Sequence, residues 1–183
     1  MSRALFLDRD GVINQRIPDG YVTRKEDFVV LPGVLEALAL LTPQFDYTFI
    51  VTNQQGIGKG LMTEEDLNGI HAYFIQQATA EGGRIDKVYF CPHLKSEHSF
   101  MRKPSIGMAL KAKKDHPGLN LKQSVMVGDT LSDMVFGRRA GMKTVLVGDE
   151  YHIARSAPHS VDSYYENLLS FAKHYCTQAI QGQ

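Results

Sequence analysis

The chain has 183 residues, 43% of them hydrophobic and 22% charged, a balance that suits one ordinary globular domain able to bury a core without a disulfide or metal staple. Its 20 Lys and Arg offset its 20 Asp and Glu, so no net field draws in nucleic acid or an anionic membrane. The two cysteines, Cys91 and Cys176, form no secreted disulfide framework, and the apolar run at the N-terminus breaks at Asp8, too early for a signal peptide or membrane span; a cytoplasmic protein is expected.

Ala4–Leu7 is the first of five short apolar runs that read as buried strands. It leads directly into Asp8-Arg9-Asp10-Gly11-Val12-Ile13-Asn14. Two carboxylates two residues apart can serve as nucleophile and acid/base, and Gly11 lets the chain turn so that they aim differently. Asn14–Val30 reads as a loop that can lie over a site, and a helix follows Pro32-Gly33 over Val34–Leu41. The second strand, Tyr47–Val51, ends in Thr52-Asn53-Gln54-Gln55-Gly56-Ile57-Gly58-Lys59-Gly60. Its hydroxyl, backbone N–H groups and glycines can hold phosphate oxygens, although the spacing matches neither a dinucleotide fingerprint nor a P-loop. Thr63 caps a helix over Glu64–Glu81, whose Leu67, Ile70, Phe74 and Ala78 share one stripe while Glu64, Glu65 and Asp66 sit at the positive dipole end.

After a third strand at Val88–Phe90 comes a second site loop, Pro92–Pro104, closing in Arg102-Lys103-Pro104. Pro104 holds Lys103 extended, so that a fixed cation stands near the strand ends. A helix over Ile106–Asp115 precedes the strand Ser124–Val127 and then Gly128-Asp129-Thr130-Leu131-Ser132-Asp133. Asp129 and Asp133, one helical turn apart, offer an oxygen-rich site suited to Mg²⁺. The helix Leu131–Ala140, the strand Thr144–Val147, a loop at Asp149–His159 and a helix over Ser163–Lys173 complete the series. Residues 1–175 are expected to form one domain and 176–183 a fraying polar tail. His71, His116, His152, His159 and His174 lack ligand spacing and read as surface or packing residues, and Tyr164, Tyr165, Phe171 and Tyr175 read as a packing stripe. The alternation of strand and helix predicts an α/β, doubly wound, Rossmann-like parallel sheet covered on both faces, with ligands at the carboxyl ends of its strands.

Asp8-x-Asp10-Gly11, the strand-end Thr52, Lys103 and Gly128-Asp129-x-x-x-Asp133, in that order, resemble the four motifs of haloacid dehalogenase-superfamily phosphatases. Tyr21-Val22, Pro32-Gly33-Val34, Thr52-Asn53-Gln54 and Arg102-Lys103-Pro104 further resemble the branch of D-glycero-D-manno-heptose 1,7-bisphosphate and histidinol-phosphate phosphatases, whose members lack a large cap domain. The resemblance implies that Asp8 attacks phosphorus and that Asp10 protonates the leaving alkoxide and then activates water. It implies Mg²⁺ held by Asp8, the backbone carbonyl of Asp10 and Asp129, with Asp133 in support. Thr52 and Lys103 would bind the transferring oxygens, while Asn53 and Arg102 would contact substrate. The partner so implied is a small phosphorylated sugar or related metabolite; from charge and composition neither nucleic acid nor membrane is expected, and a monomer is the default expectation. The heptose reading, a step in building lipopolysaccharide, removes the 7-phosphate; histidinol phosphate or another small sugar phosphate is the alternative.

Relatives in that branch often carry a zinc loop with a Cys-x-His and a Cys-x-Cys pair. Here Cys91-Pro92-His93 stands, but Ser99 and Met101 occupy the second pair's places, and two ligands of four do not predict zinc. A phosphoaspartate signalling receiver would share the sheet, the acidic Mg²⁺ site, Thr and Lys. Asp10, two residues beyond Asp8, favours turnover instead because it can activate water against the intermediate.

Overall fold

The computed structural model describes residues 1–181. Strands β1 (Ala4–Leu7), β2 (Tyr47–Asn53), β3 (Lys87–Cys91), β4 (Val125–Gly128), β5 (Lys143–Val147) and β6 (Ser163–Tyr165) form one sheet in the order β3-β2-β1-β4-β5-β6, all parallel. Parallel neighbours need crossovers. They are α1 (Val34–Leu41), α3 (Glu64–Ala80), α4 (Gly107–Asp115), α5 (Leu131–Arg139) and α6 (Tyr151–Ser156), with a single turn α2 (Gln55–Gly58) after β2 and a closing helix α7 (Leu168–Gln181).

Alternation along each strand divides the core. Leu5, Leu7, Ile50, Val125, Val127, Val145 and Val147 pack under α1, α3 and α7. Ala4, Phe6, Phe49, Val51 and Met126 face the other way, against Met108, Ala109 and Ala112 of α4 and Phe136 of α5. Burying each large apolar side chain contributes roughly 1.5–3 kcal/mol, so both faces are covered by necessity. The cap expected at Thr63 forms, and as a reciprocal box: Thr63 Oγ1 accepts from the Asp66 N–H at 3.1 Å, and Asp66 Oδ2 accepts from the Thr63 N–H at 2.8 Å. Among the described residues no helix is long and apolar enough to cross a membrane.

Three expectations are corrected. Ser163–Tyr165 is a sixth strand in register with Val145–Val147, and the last helix begins only at Leu168. Asp162 accepts hydrogen bonds from the N–H and Oγ1 of Thr144 at 2.8 and 3.0 Å, which holds the chain beside β5, where adjacent tyrosines suit a pleated surface. Asn167, whose Oδ1 accepts from the Ser170 N–H at 2.9 Å, starts α7. That helix then continues through most of the tail expected from 176, with 182–183 lying outside the described residues. Likewise Asp149–His159, read as loop, contains α6.

β1 is the point where the strand order reverses, with β2 on one side and β4 on the other. The crevice beyond their carboxyl ends is where an open α/β sheet places its ligands.

Candidate active site

β1 continues one residue past its last pleat, the Asp8 N–H donating to the Val127 carbonyl at 2.9 Å, and the chain then turns sharply. Gly11 makes the turn possible: its φ is +100°, and a Cβ there would lie 2.0 Å from Asp129 Oδ2. The turn brings the ends of β1 and β4 together and separates the two acids of the first motif. Asp8 points into the sheet crevice, and Asp10 faces it from the loop.

Lys103 binds the floor. Its Nζ donates to Asp8 Oδ1 at 2.6 Å and to the Val51 carbonyl at 2.8 Å, and lies 2.5 Å from Asp133 Oδ1. Asn53 fixes the segment that delivers it, accepting from the Lys103 N–H at 3.0 Å and donating to the Lys103 carbonyl at 3.2 Å. Burial lowers the proton affinity of Lys103, but Asp133 and Asp8 outweigh it and raise its pKa above the ordinary lysine value. Asp133 is fully engaged: its Oδ2 accepts from the N–H and Oγ1 of Thr130 as the cap of α5 while Oδ1 meets Lys103. A Cβ on Gly128 would sit 2.2 Å from that of Asp133, so β4 and α5 can approach this closely only with glycine there.

Asp10 is held by three side chains to which the sequence reading gave no role. Arg9 donates to Asp10 Oδ1 through Nε and Nη2 at 3.2 and 2.8 Å, and Asn14 Nδ2 reaches the same oxygen at 3.0 Å. Gln54 Nε2 donates to Oδ2 at 2.9 Å and also to Thr52 Oγ1 at 2.8 Å. Burial opposes the charged form of Asp10, yet the Arg9 guanidinium and these hydrogen bonds hold its carboxyl below the usual range. Gln54 had a legible cue, a polar residue two beyond Thr52 at a strand end. Arg9 lies inside the first motif and Asn14 three residues beyond its Gly11.

Asp129 follows β4, and its surroundings differ. Arg16 Nη2 donates to its Oδ2 and Oδ1 at 2.7 and 3.0 Å and, from the same nitrogen, to the backbone carbonyl of Asp10 at 3.0 Å. Arg16 was not anticipated, because nothing local in the loop sequence marks a contact across 113 positions. Carboxylate oxygens of Asp8, Asp129 and Asp133 lie within 4.8 Å of one another. Burial raises Asp8 to about 6 against the pull of Lys103, with repulsion from Asp133 and Asp10 adding to the rise; burial, Asp8 and Asp133 raise Asp129 to about 8 against the pull of Arg16. Such a site carries more negative charge than its own cations balance. Three clustered carboxylates and a backbone carbonyl, already bridged by a guanidinium, form the all-oxygen donor set that a hard divalent cation prefers.

A cavity of about 830 Å³ opens over these groups. Asp8, Asp10, Thr52, Asn53, Lys103 and Asp133 line its floor, and the two expected loops wall it through Arg16, Tyr21, Lys95, Ser99 and Arg102. Seven of the eight residues singled out in the sequence therefore face one space; Asp129 lines a second cavity of about 630 Å³ beside it, which Arg16 also borders. Cys91 is buried at the end of β3, His93 Nδ1 lies 3.3 Å from Glu97 Oε1, and Ser99 Oγ accepts from the Met101 N–H at 3.3 Å.

Residues 100–169 match the HAD-hydrolase-like family model. The chain is 42% identical to the D-glycero-alpha-D-manno-heptose-1,7-bisphosphate 7-phosphatase of Campylobacter jejuni over 81% of its own length and 84% of that protein. It is 40% identical to the corresponding beta-heptose phosphatase of Helicobacter pylori over 80% and 83%. Among solved structures it is similar to D,D-heptose 1,7-bisphosphate phosphatase from B. bronchiseptica complexed with magnesium and phosphate, with a TM-score of 0.86, 31% identity and 99% of each chain covered. The strand order, the four motifs at adjoining strand ends and these likenesses agree: the chain is a phosphoric monoester hydrolase and belongs to the haloacid dehalogenase-like phosphatases, in the heptose 1,7-bisphosphate 7-phosphatase branch.

Proposed function

We propose that the protein hydrolyses the 7-phosphate of D-glycero-D-manno-heptose 1,7-bisphosphate through a phosphoaspartate on Asp8. The observation that carries the chemistry is the pairing of Asp8, fixed by Lys103 at 2.6 Å, with a separately held Asp10 across one cavity. The names of the relatives support the substrate.

The substrate phosphate enters with its oxygens between the Thr52 hydroxyl and the Lys103 ammonium. Asp8 attacks phosphorus in line, the phosphorus–oxygen bond to the sugar breaks, and Asp10 gives its proton to the departing alkoxide. Asp10 is ionised in the free protein, but the arriving phosphate dianion adds negative charge beside it and raises its proton affinity, which prepares it as the acid. Ionised again after the first step, it takes a proton from water, whose oxygen attacks the phosphoaspartate; phosphate leaves and Asp8 is restored. Arg9, Asn14 and Gln54 keep Asp10 aimed during both transfers. A divalent ion such as Mg²⁺, when bound to Asp8, the Asp10 carbonyl and Asp129 with Asp133 nearby, supplies charge neutralisation for the transferring phosphoryl group. Arg102, on the cavity wall, suits the sugar's remaining polar groups.

The test is phosphate release in Mg²⁺ from both anomers of the heptose bisphosphate and from histidinol phosphate, with phosphorus NMR to see which phosphate is lost. A kcat/KM preference of at least about 100-fold for a heptose bisphosphate, with the 1-phosphate retained, is expected. Asp8→Asn should lower kcat by roughly a thousandfold or more. Equal kcat/KM across the panel would overturn the substrate, and retained turnover by Asp8→Asn would overturn the nucleophile.

A further inference from the structure

The cation position between Asp129 and the Asp10 carbonyl is bridged by a side chain of the protein itself. One nitrogen, Arg16 Nη2, lies 2.7 and 3.0 Å from the two Asp129 oxygens and 3.0 Å from the Asp10 carbonyl. These are the groups proposed to hold the divalent ion, so a guanidinium on them and an ion on them exclude each other. The cavities report the same screen: Asp129 does not line the larger one among the described residues, whereas Arg16 borders both. Arg16 is itself half exposed, with 50% of its side-chain surface open, so it can withdraw along solvent without opening the core.

We propose that Arg16 is a built-in competitor of the divalent cation, seated on Asp129 and the Asp10 carbonyl until the ion displaces it. The proposal rests on the metal site described above. It makes the affinity for the ion the outcome of an exchange, one cation for another, on the same oxygens. If the guanidinium holds its seat in about nine-tenths of molecules, it weakens apparent ion binding about tenfold.

Direct Mn²⁺ binding, followed by electron paramagnetic resonance on the substrate-free full chain after chelation and dialysis, separates the possibilities. Wild type should bind one ion, Asp129→Asn should lose it, and Arg16→Gln should bind it about tenfold more tightly. Circular dichroism checks that each variant is folded. A charge acting from a distance would also strengthen binding when removed, so a second measurement watches the side chain. The Arg16 guanidinium ¹⁵N signals, assigned by their loss in Arg16→Gln, should be resolved in chelated protein and average on saturation with Mg²⁺. Equal Mn²⁺ affinity in wild type and Arg16→Gln, weaker affinity in the variant, or guanidinium signals unmoved by Mg²⁺ would each overturn the competition while leaving the metal site standing. No binding in either wild type or Arg16→Gln would dismiss the metal site and the competition with it.

Discussion

Asp10 shows how much of an active site can depend on residues that do no chemistry. Gln54 is buried and donates to both Asp10 and Thr52, tying the proposed acid/base group to the hydroxyl proposed to hold phosphate. Gln54→Leu keeps the volume and removes both donations; kcat should fall about 10- to 100-fold with a much smaller change in KM, and steady-state kinetics beside a melting curve will separate this from a loss of fold. His71 offers a contrast within the same neighbourhood. It sits on the buried stripe of α3, and neither ring nitrogen has a hydrogen-bond partner among the described residues. Burial, then the charge of Arg9, push it down to about 3 from an ordinary 6.5. A group depressed on folding contributes stability above its unfolded pKa and loses it as pH falls towards the folded one. Relative to His71→Leu, the wild type should therefore lose about 2 kcal/mol between pH 7 and pH 5, visible as a widening gap between the two melting temperatures. The sequence reading of His71 as a surface or packing residue is resolved to packing, and position 71 does lie four after Leu67 and three before Phe74, both core residues.

At the scale of elements, the sequence was most legible where one local rule sufficed. Val34–Leu41 follows a turn and carries helical spacing, and α1 has those same bounds. Ser163–Tyr165 was misread because the pairing that makes it a strand is supplied by β5 and by Asp162, not by its own three residues. The same reason hid Arg16, whose partner Asp129 is 113 positions away, whereas Asp129 itself was legible from its place after an apolar run. The α5 cap joins the two kinds of information, since Thr130 and Asp133 form a local box while Asp133 also meets Lys103. Thr130→Ala should lower stability by about 1 kcal/mol and, by letting Asp133 turn, loosen Lys103. A fall in melting temperature accompanied by a several-fold loss of kcat is expected; a fall in stability alone would confine Thr130 to its cap.

Taken whole, the molecule is electrically neutral, yet three carboxyl groups cluster at the switch between β1 and β4. Folding raises Asp8 and Asp129 from an ordinary 3.8 to about 6 and about 8. Groups raised in this way contribute stability that is fully present below 3.8 and is lost as pH climbs through those folded values. Chelated protein should thus lose this contribution between about pH 4 and pH 8, and an ion that needs both carboxylates ionised should bind better as the pH rises. Mg²⁺ at 100 times its dissociation constant stabilises by about 2.7 kcal/mol. At one fixed Mg²⁺ concentration, the rise in melting temperature should be larger at pH 8 than at pH 5; an equal rise at both would show that Asp8 and Asp129 do not take up the ion. The fold class and the site's location were legible at this scale because strand ends follow directly from apolar runs. The balance of charge was not, because it depends on which side chains meet across the crevice.

The central position of β1 also has a consequence for how the chain is made. Leu5 pairs with Val125 across 120 positions, so β1 leaves the ribosome well before it can gain both neighbours. At about 5–20 residues per second, its β4 edge stays open for several seconds or longer after its own synthesis. Until β4 arrives, a wholly apolar strand bears an unpaired edge, and Asp8 at its tip has neither Asp129 nor Asp133 beside it. The nascent protein is therefore most exposed to mispairing during the interval before it could become an enzyme, and any chaperone that attends it must shield its N-terminal strand until most of the chain has emerged.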